Sequence, residues 1–188
     1  MIFIKRPMGR YAFGIVVVAA IAAVLLPSCK SGTVPQPQVE QVQFSAEDEQ
    51  VKRPVPLPAA VKAVLSTDAG VKQILEFENI PADKMPSTWF LTSEVHLNGP
   101  EEQDLVVIAR GPLSGANVTT YWLFRPRGGQ YEMILSAAPA HTLIVSDTLS
   151  NGYRDVRLLS STADHAFELL CKFDGKTYQP AVDTPTKR

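Results

Sequence analysis

Three histidines, two cysteines and a few short polar clusters are the residues of this chain whose types could carry chemistry. His96, His141 and His165 lie far apart, and none has a second histidine four residues on, the spacing that sets two imidazoles on one helix face for a metal. In "PLSGAN", Ser114 stands beside Gly115, but a nucleophile elbow needs a glycine two residues before the serine and another two after it. The adjacent glycines of "RPRGGQ" lie between aromatic runs, where a hairpin turn explains them better than a phosphate cradle. Glu101-Glu102 and Glu47-Asp48-Glu49 fall in polar stretches and keep a surface solvated. "TLSNGYRD" offers one carboxylate, too few for a calcium cage. These patterns predict no catalytic, cofactor-binding or metal site.

The cysteines read differently. Cys171 sits in "AFELLCKF", where alternation puts it on one strand face with Phe167, Leu169 and Phe173. With no His or Asn beside it in sequence, it reads as a small buried hydrophobe rather than a nucleophile. Cys29 ends a segment with its own logic. Lys5, Arg6 and Arg10 precede or flank a run from Tyr11 to Leu26 that carries no charge, and small Ser28 stands directly before the cysteine. Charge, length and order make residues 1–28 a signal peptide.

The close of that segment, Leu26-Pro27-Ser28-Cys29, resembles the lipobox of bacterial lipoproteins, although Pro27 departs from the usual small or apolar residue. The resemblance implies that Cys29 takes a lipid and becomes the first residue of the mature chain. Cleavage by the ordinary signal peptidase and retention as an uncleaved span are the competing readings, since Tyr11 to Ser28 is about the minimum length that crosses a bilayer. All three put the body outside the cytoplasm, in the periplasm or at the cell surface, and the basic flank requires the same orientation. The expected partners are the membrane, through the lipid anchor, and an envelope protein.

Composition limits the rest. A chain of 188 residues, 45% hydrophobic and 20% charged, can bury one core. Its 18 basic and 19 acidic residues nearly balance, and setting aside Lys5, Arg6 and Arg10 leaves a small acidic excess with no basic stripe. That argues against nucleic acid, whose phosphates require clustered Lys and Arg. Residues 29–57, with "TVPQPQVEQVQ" and "KRPVPLP", read as a Pro- and Gln-rich linker that lifts a single domain, 58–188, off a membrane surface.

The domain opens on helical spacing. Val61, Val64 and Leu65 follow Pro58, and Ser66 or Thr67 can cap a second helix through Val71, Ile74, Leu75 and Phe77 that ends before Pro81. Residues 58–80 therefore predict one amphipathic helical hairpin. Over residues 93–180 the period changes to two. "SEVHL", "DLVVIAR", "NVTTYWLFR", "QYEMILS", "TLIVS", "YRDVRLLS", "AFELLCKF" and "KTY" are separated by Gly, Pro, Asn and Asp. The predicted fold is α+β: a short N-terminal helical hairpin, then an antiparallel β-meander closing as a sheet, half-barrel or sandwich.

A repeat runs through the β region. Asp104 aligns with Asp155, Phe124 with Phe173, Gly129 with Gly175 and Tyr131 with Tyr178, so each copy is an Asp-led strand, a strand ending in Phe, a Gly turn and a strand opening on Tyr. The C-terminal part resembles uncharacterised secreted β-rich domains and, loosely, the blades of propeller-type repeats. Two side chains stand out as interaction candidates. Tyr121 alternates with Trp122 and is a partner contact if it faces outward, core if the helices cover it. Arg154, in the corner "NGYRD", has no counterpart in the other copy.

The function these features predict is a membrane-tethered, non-enzymatic envelope lipoprotein that binds a partner. The alternative is a periplasmic enzyme inhibitor, resembling lysozyme inhibitors and presenting residues 112–118 or 151–155 as its loop, or an enzyme whose site the sequence does not reveal.

Overall fold

A computed structural model of the chain describes residues 42–162 and 164–181. The signal segment, Cys29 and most of the expected linker lie outside the described residues.

Among the described residues nine strands form two antiparallel sheets. The first sheet is β2 (Phe90–Val95), β3 (Asp104–Ala109), β4 (Thr119–Arg127) and β5 (Gln130–Ala140), paired in chain order. The second has the order β1-β6-β7-β8-β9, with β1 Gln43–Ser45, β6 Thr142–Ser150, β7 Tyr153–Ser161, β8 Ala166–Phe173 and β9 Tyr178–Pro180. Each sheet thus contains one four-strand meander, and β1 is added to the second beside β6. The chain passes between sheets at His141, the single residue separating β5 from β6. An α+β body with antiparallel meanders is what the period-two runs predict.

The turns follow their residues. Asn151-Gly152 joins β6 to β7 and Gly128-Gly129 joins β4 to β5, all four with positive φ, which matches the right-handed twist of a two-residue hairpin. Two register shifts between β4 and β5, with Ala137 at φ +35, bend β5.

Helices α1 (Ala59–Leu65) and α2 (Ala69–Phe77) cover the outer face of the first sheet. Asp68, not Ser66 or Thr67, caps α2: its Oδ1 accepts from the Gly70 and Val71 amides at 3.0 and 3.2 Å. The Ser66 and Thr67 hydroxyls instead donate back to Ala63 and Val64 carbonyls at the end of α1. Asp68 Oδ2 also accepts from the Trp122 indole at 3.4 Å, tying the cap to the sheet. Phe77, expected on the apolar face, is 79% exposed because α2 ends there and the face is already complete at Leu75.

Two apolar layers result. Val61, Leu65, Val71 and Leu75 meet Leu105, Val107, Trp122 and Phe124 between helices and sheet. Val106, Ile108, Tyr121 and Leu123 meet Leu143, Val145, Val156, Cys171 and Phe173 between the sheets. All six residues of β3 are buried because the first sheet is covered on both faces, which explains its unbroken apolar run. Removing the Trp122 side chain with alanine would cost about 3–5 kcal/mol.

The linker reading of residues 29–57 needs correction at its C-terminal end. Phe44 on β1 is fully buried, the Tyr121 hydroxyl donates to the Phe44 carbonyl at 3.0 Å, and Arg110 binds the Ala46 and Asp48 carbonyls. Further on, the Val55 amide donates to Thr92 and the Glu94 amide to Arg53, so this segment runs along β2. One aromatic and backbone pairing outweigh the polar composition, and the folded body includes residue 42 onward.

The aligned copies fall on β3-β4-β5 and β7-β8-β9, one in each sheet. Their aromatics face differently: Phe124 and Tyr131 pack towards the helices, Phe173 and Tyr178 towards the core between the sheets.

Candidate functional site

The turns after β2, β4, β6 and β8 meet at one end of the sandwich and build a polar cleft of about 650 Å³, lined by Glu102, Arg125, Pro126, Arg127, Tyr153, Gly175 and Lys176. The strand order forces this convergence, because in both meanders alternate turns share one end. Arg125 is the central side chain. Its guanidinium lies over the rings of Tyr153 and Phe173, 5.8 and 5.4 Å from their centroids, and it binds Glu132 through Nε at 2.9 Å and Nη2 at 2.8 Å. Burial works against its charge, but the bonds to Tyr153 and Glu132 more than offset this and raise its pKa. Arg127 Nη1 reaches the same Glu132 oxygen at 3.0 Å, and the two arginines hold the Glu132 carboxyl below the usual carboxylate range.

Behind the cleft lies a buried polar layer. The Tyr153 hydroxyl oxygen accepts from Asn98 Nδ2 at 3.1 Å and Arg125 Nη1 at 3.5 Å, and Asn98 Nδ2 also donates to Glu102 at 2.8 Å. Asp104, fully buried at the start of β3, accepts from the Leu97 amide through Oδ2 at 3.0 Å, and its Oδ1 has no partner. Burial pushes the Asp104 carboxyl up to about 6, against the opposing pull of the Leu97 amide. Asp155, its counterpart in the repeat, accepts from the Thr148 hydroxyl at 2.8 Å, and its Oδ1 is likewise unpartnered. Burial first, then the Asp104 and Asp155 charges, raise the Tyr178 hydroxyl well above its ordinary value, so it stays a donor, held to the Arg154 carbonyl at 2.6 Å.

Arg154, an interaction candidate by sequence, is a clamp. Its side chain donates to Ser146, Val145 and His96 carbonyls at 2.8, 3.4 and 3.4 Å and pairs with Asp147 at 3.1 Å, while its amide donates to Leu97. It thereby joins the β2–β3 connection to β6. Tyr121, the other candidate, is fully buried, with its hydroxyl shared between the Phe44 and His141 carbonyls at 3.0 and 3.1 Å. The second sheet covers it, so it is core. Cys29 lies outside the described residues.

A second opening lies at the side of the sandwich. An apolar groove of about 680 Å³ runs between β5 and the β7-β8-β9 strands, with Met133, Leu135, Leu158, Phe167, Leu169, Cys171 and Tyr178 in its walls. The strand face expected for Cys171 divides here. Cys171 and Phe173 are buried, whereas Phe167 and Leu169 are 57% and 43% exposed, because no strand of the first sheet covers that part of β8. Burial pushes the Cys171 thiol up, which keeps it protonated and unreactive.

The histidines have separate uses. Arg53 donates to His96 Nε2 at 2.7 Å, which leaves the ring proton on Nδ1, facing the Glu102 carbonyl at 2.9 Å. His141 Nδ1 lies 2.9 Å from the Asn117 carbonyl at the sheet crossing, and His165 stacks near Phe167. Among the described residues no three His, Cys, Asp or Glu side chains converge as metal ligands. Residues 112–118 form an exposed loop closed by the Gly115 amide donating to Val118, whereas only Asn151 and Gly152 of residues 151–155 are exposed.

Sequence reasoning did not single out Arg125, Arg127, Glu132, Tyr153 or Lys176. The signal was present as charges bracketing turns, in "RPRGGQYE" and "DGK", but a turn marks a position without showing which other turns it meets. Comparisons of the chain with models of protein families, with curated proteins and with solved structures return no match. Among the described residues no helix is long and apolar enough to cross a membrane, and the segment from Tyr11 to Ser28 lies outside them.

Proposed function

We propose that this chain is a membrane-tethered envelope lipoprotein, anchored through a lipid on Cys29, whose body is a non-enzymatic module that binds an envelope protein. The observation that carries the binding reading is the groove beside β8. Phe167 and Leu169 present apolar surface in a concave site, where an occupant would gain about 25 cal/mol for each Å² it removes from water. The order of basic, apolar and small residues before Cys29 supports the anchor.

The test has two arms on the full chain. Cys29→Ala should leave the membrane fraction, and its retention there would sink the lipid anchor in favour of an uncleaved span. Phe167→Ser with Leu169→Ser alters two exposed positions and should keep the melting temperature, while losing a crosslinked envelope partner that the parent chain captures. Undiminished capture would remove the groove from the proposal. The exposed loop 112–118 supports a second reading, an enzyme inhibitor, for which deleting that loop should abolish inhibition of a cell-wall hydrolase and the groove variant should not.

A further inference from the structure

We propose that the cleft at the turn end binds an oxyanion, the carboxylate or phosphate group of a small molecule, between Arg127, Lys176 and the Tyr153 hydroxyl. The site is separate from the apolar groove and does not depend on the function assigned to it.

The first argument counts donors. Two N–H groups already point at the Tyr153 oxygen, from Asn98 and from Arg125. The Asn98 amide cannot be reversed, because its other contact is the Glu102 carboxylate at 2.8 Å, which accepts and would repel an amide oxygen. With its lone pairs occupied, Tyr153 must direct its own proton elsewhere. No protein acceptor meets that proton among the described residues, and Tyr153 lines the cleft.

The second argument concerns charge. Arg125 is committed on its Nε and Nη2 side to Glu132, whereas Arg127 spends one nitrogen on that carboxylate and keeps the rest of its fork. Lys176 has no ion pair among the described residues beyond a longer-range attraction to Asp174. The Asp174 carboxylate is itself turned back on the Lys176 and Thr177 amides at 2.7 and 2.8 Å. Arg125, Arg127 and Lys176 thus stand against the carboxylates of Glu132, Glu102 and Asp174. Glu132 is taken up by the arginines, Glu102 accepts from Asn98 and Asp174 accepts from two backbone amides, so the groups left unspent at the cleft are mostly donors. A ligand that supplies acceptors and negative charge completes this set, and a planar or tetrahedral oxyanion matches the free arginine fork.

Titration of the full chain, followed by amide NMR at constant chloride, tests the assignment with three probes: sodium phosphate, sodium citrate and glucose. Saturable shifts at Arg127, Tyr153, Gly175 and Lys176 are expected with phosphate or citrate, and the stronger of the two identifies the oxyanion. Arg127→Gln with Lys176→Gln, at exposed positions, should keep the melting temperature and weaken binding at least tenfold. Tyr153→Phe should weaken it severalfold while leaving the ring in place. The proposal is overturned if neither anion saturates, if the double variant binds as tightly as the parent chain, or if glucose produces the same saturable shifts.

Discussion

The buried carboxyl of Asp104 makes stability depend on pH in the direction opposite to ordinary acid denaturation. Its pKa rises from 3.8 in the unfolded chain to about 6 in the fold, chiefly through burial, and that gap is worth about 3 kcal/mol. Below pH 3.8 the group is protonated in both states, and its burial carries no ionic penalty. Above about 6 it is ionised in both, and the folded state holds a buried charge with only the Leu97 amide as a direct partner. Stability should therefore fall as pH rises through this window, with a steepest slope of about 1.2 kcal/mol per pH unit, since the two states differ there by somewhat less than one proton. Glu132 and Asp174, held below their ordinary values of 4.5 and 3.8, work in the other direction as pH falls through and below those values, at the acid end of this window and beyond it. Urea midpoints of the parent chain measured between pH 4.5 and 7.5 should drop by about 1–2 M. Asp104→Asn keeps an acceptor for Leu97, cannot ionise, and should flatten that profile. Glu102, His96 and Arg125 also act on Asp104, so the difference between the two chains isolates its share. A flat parent profile, or an equal slope in both chains, would refute the reasoning.

Arg154→Lys should lower unfolding free energy by about 2–4 kcal/mol in denaturant titrations, because a single ammonium cannot span the Ser146, Val145 and His96 carbonyls as the fork does. A loss below 1 kcal/mol would mean that the clamp contributes little. Tyr121→Phe should cost about 1–2 kcal/mol and speed hydrogen exchange at the amides that pair β1 with β6, since the hydroxyl is what fixes the Phe44 carbonyl. Unchanged exchange at Ala46 and Val145, whose amides donate to the His141 and Val42 carbonyls across this pair, would argue that Phe44 alone holds the strand. Cys171 should resist iodoacetamide at pH 8 in the folded chain and react at the rate of a free thiol in urea, with rapid labelling of the native chain as the contrary result.

What the sequence by itself determined is the local part of this protein. Alternation over "DLVVIAR" and "YRDVRLLS", helical spacing over Val61 to Leu75, and the glycine pairs at turns are properties of neighbouring residues, and the elements form where those patterns stand. Tertiary structure decided everything that depends on which surface covers which. Tyr121 and Trp122 are both buried because the first sheet is covered on both sides, by helices and by the second sheet. Phe167 and Leu169 share a strand face with Cys171 yet stay exposed because β5 does not extend over them. β1 joins the fold from a Pro- and Gln-rich stretch because a single aromatic finds a cavity and its backbone finds β6. The cleft of Arg125, Glu132 and Tyr153 could not be read from spacing, since Arg125 and Tyr153 stand 28 residues apart on strands of different sheets. Turn chemistry is written in two or three adjacent residues, whereas the meeting of turns is set by strand order and by how two meanders pack face to face.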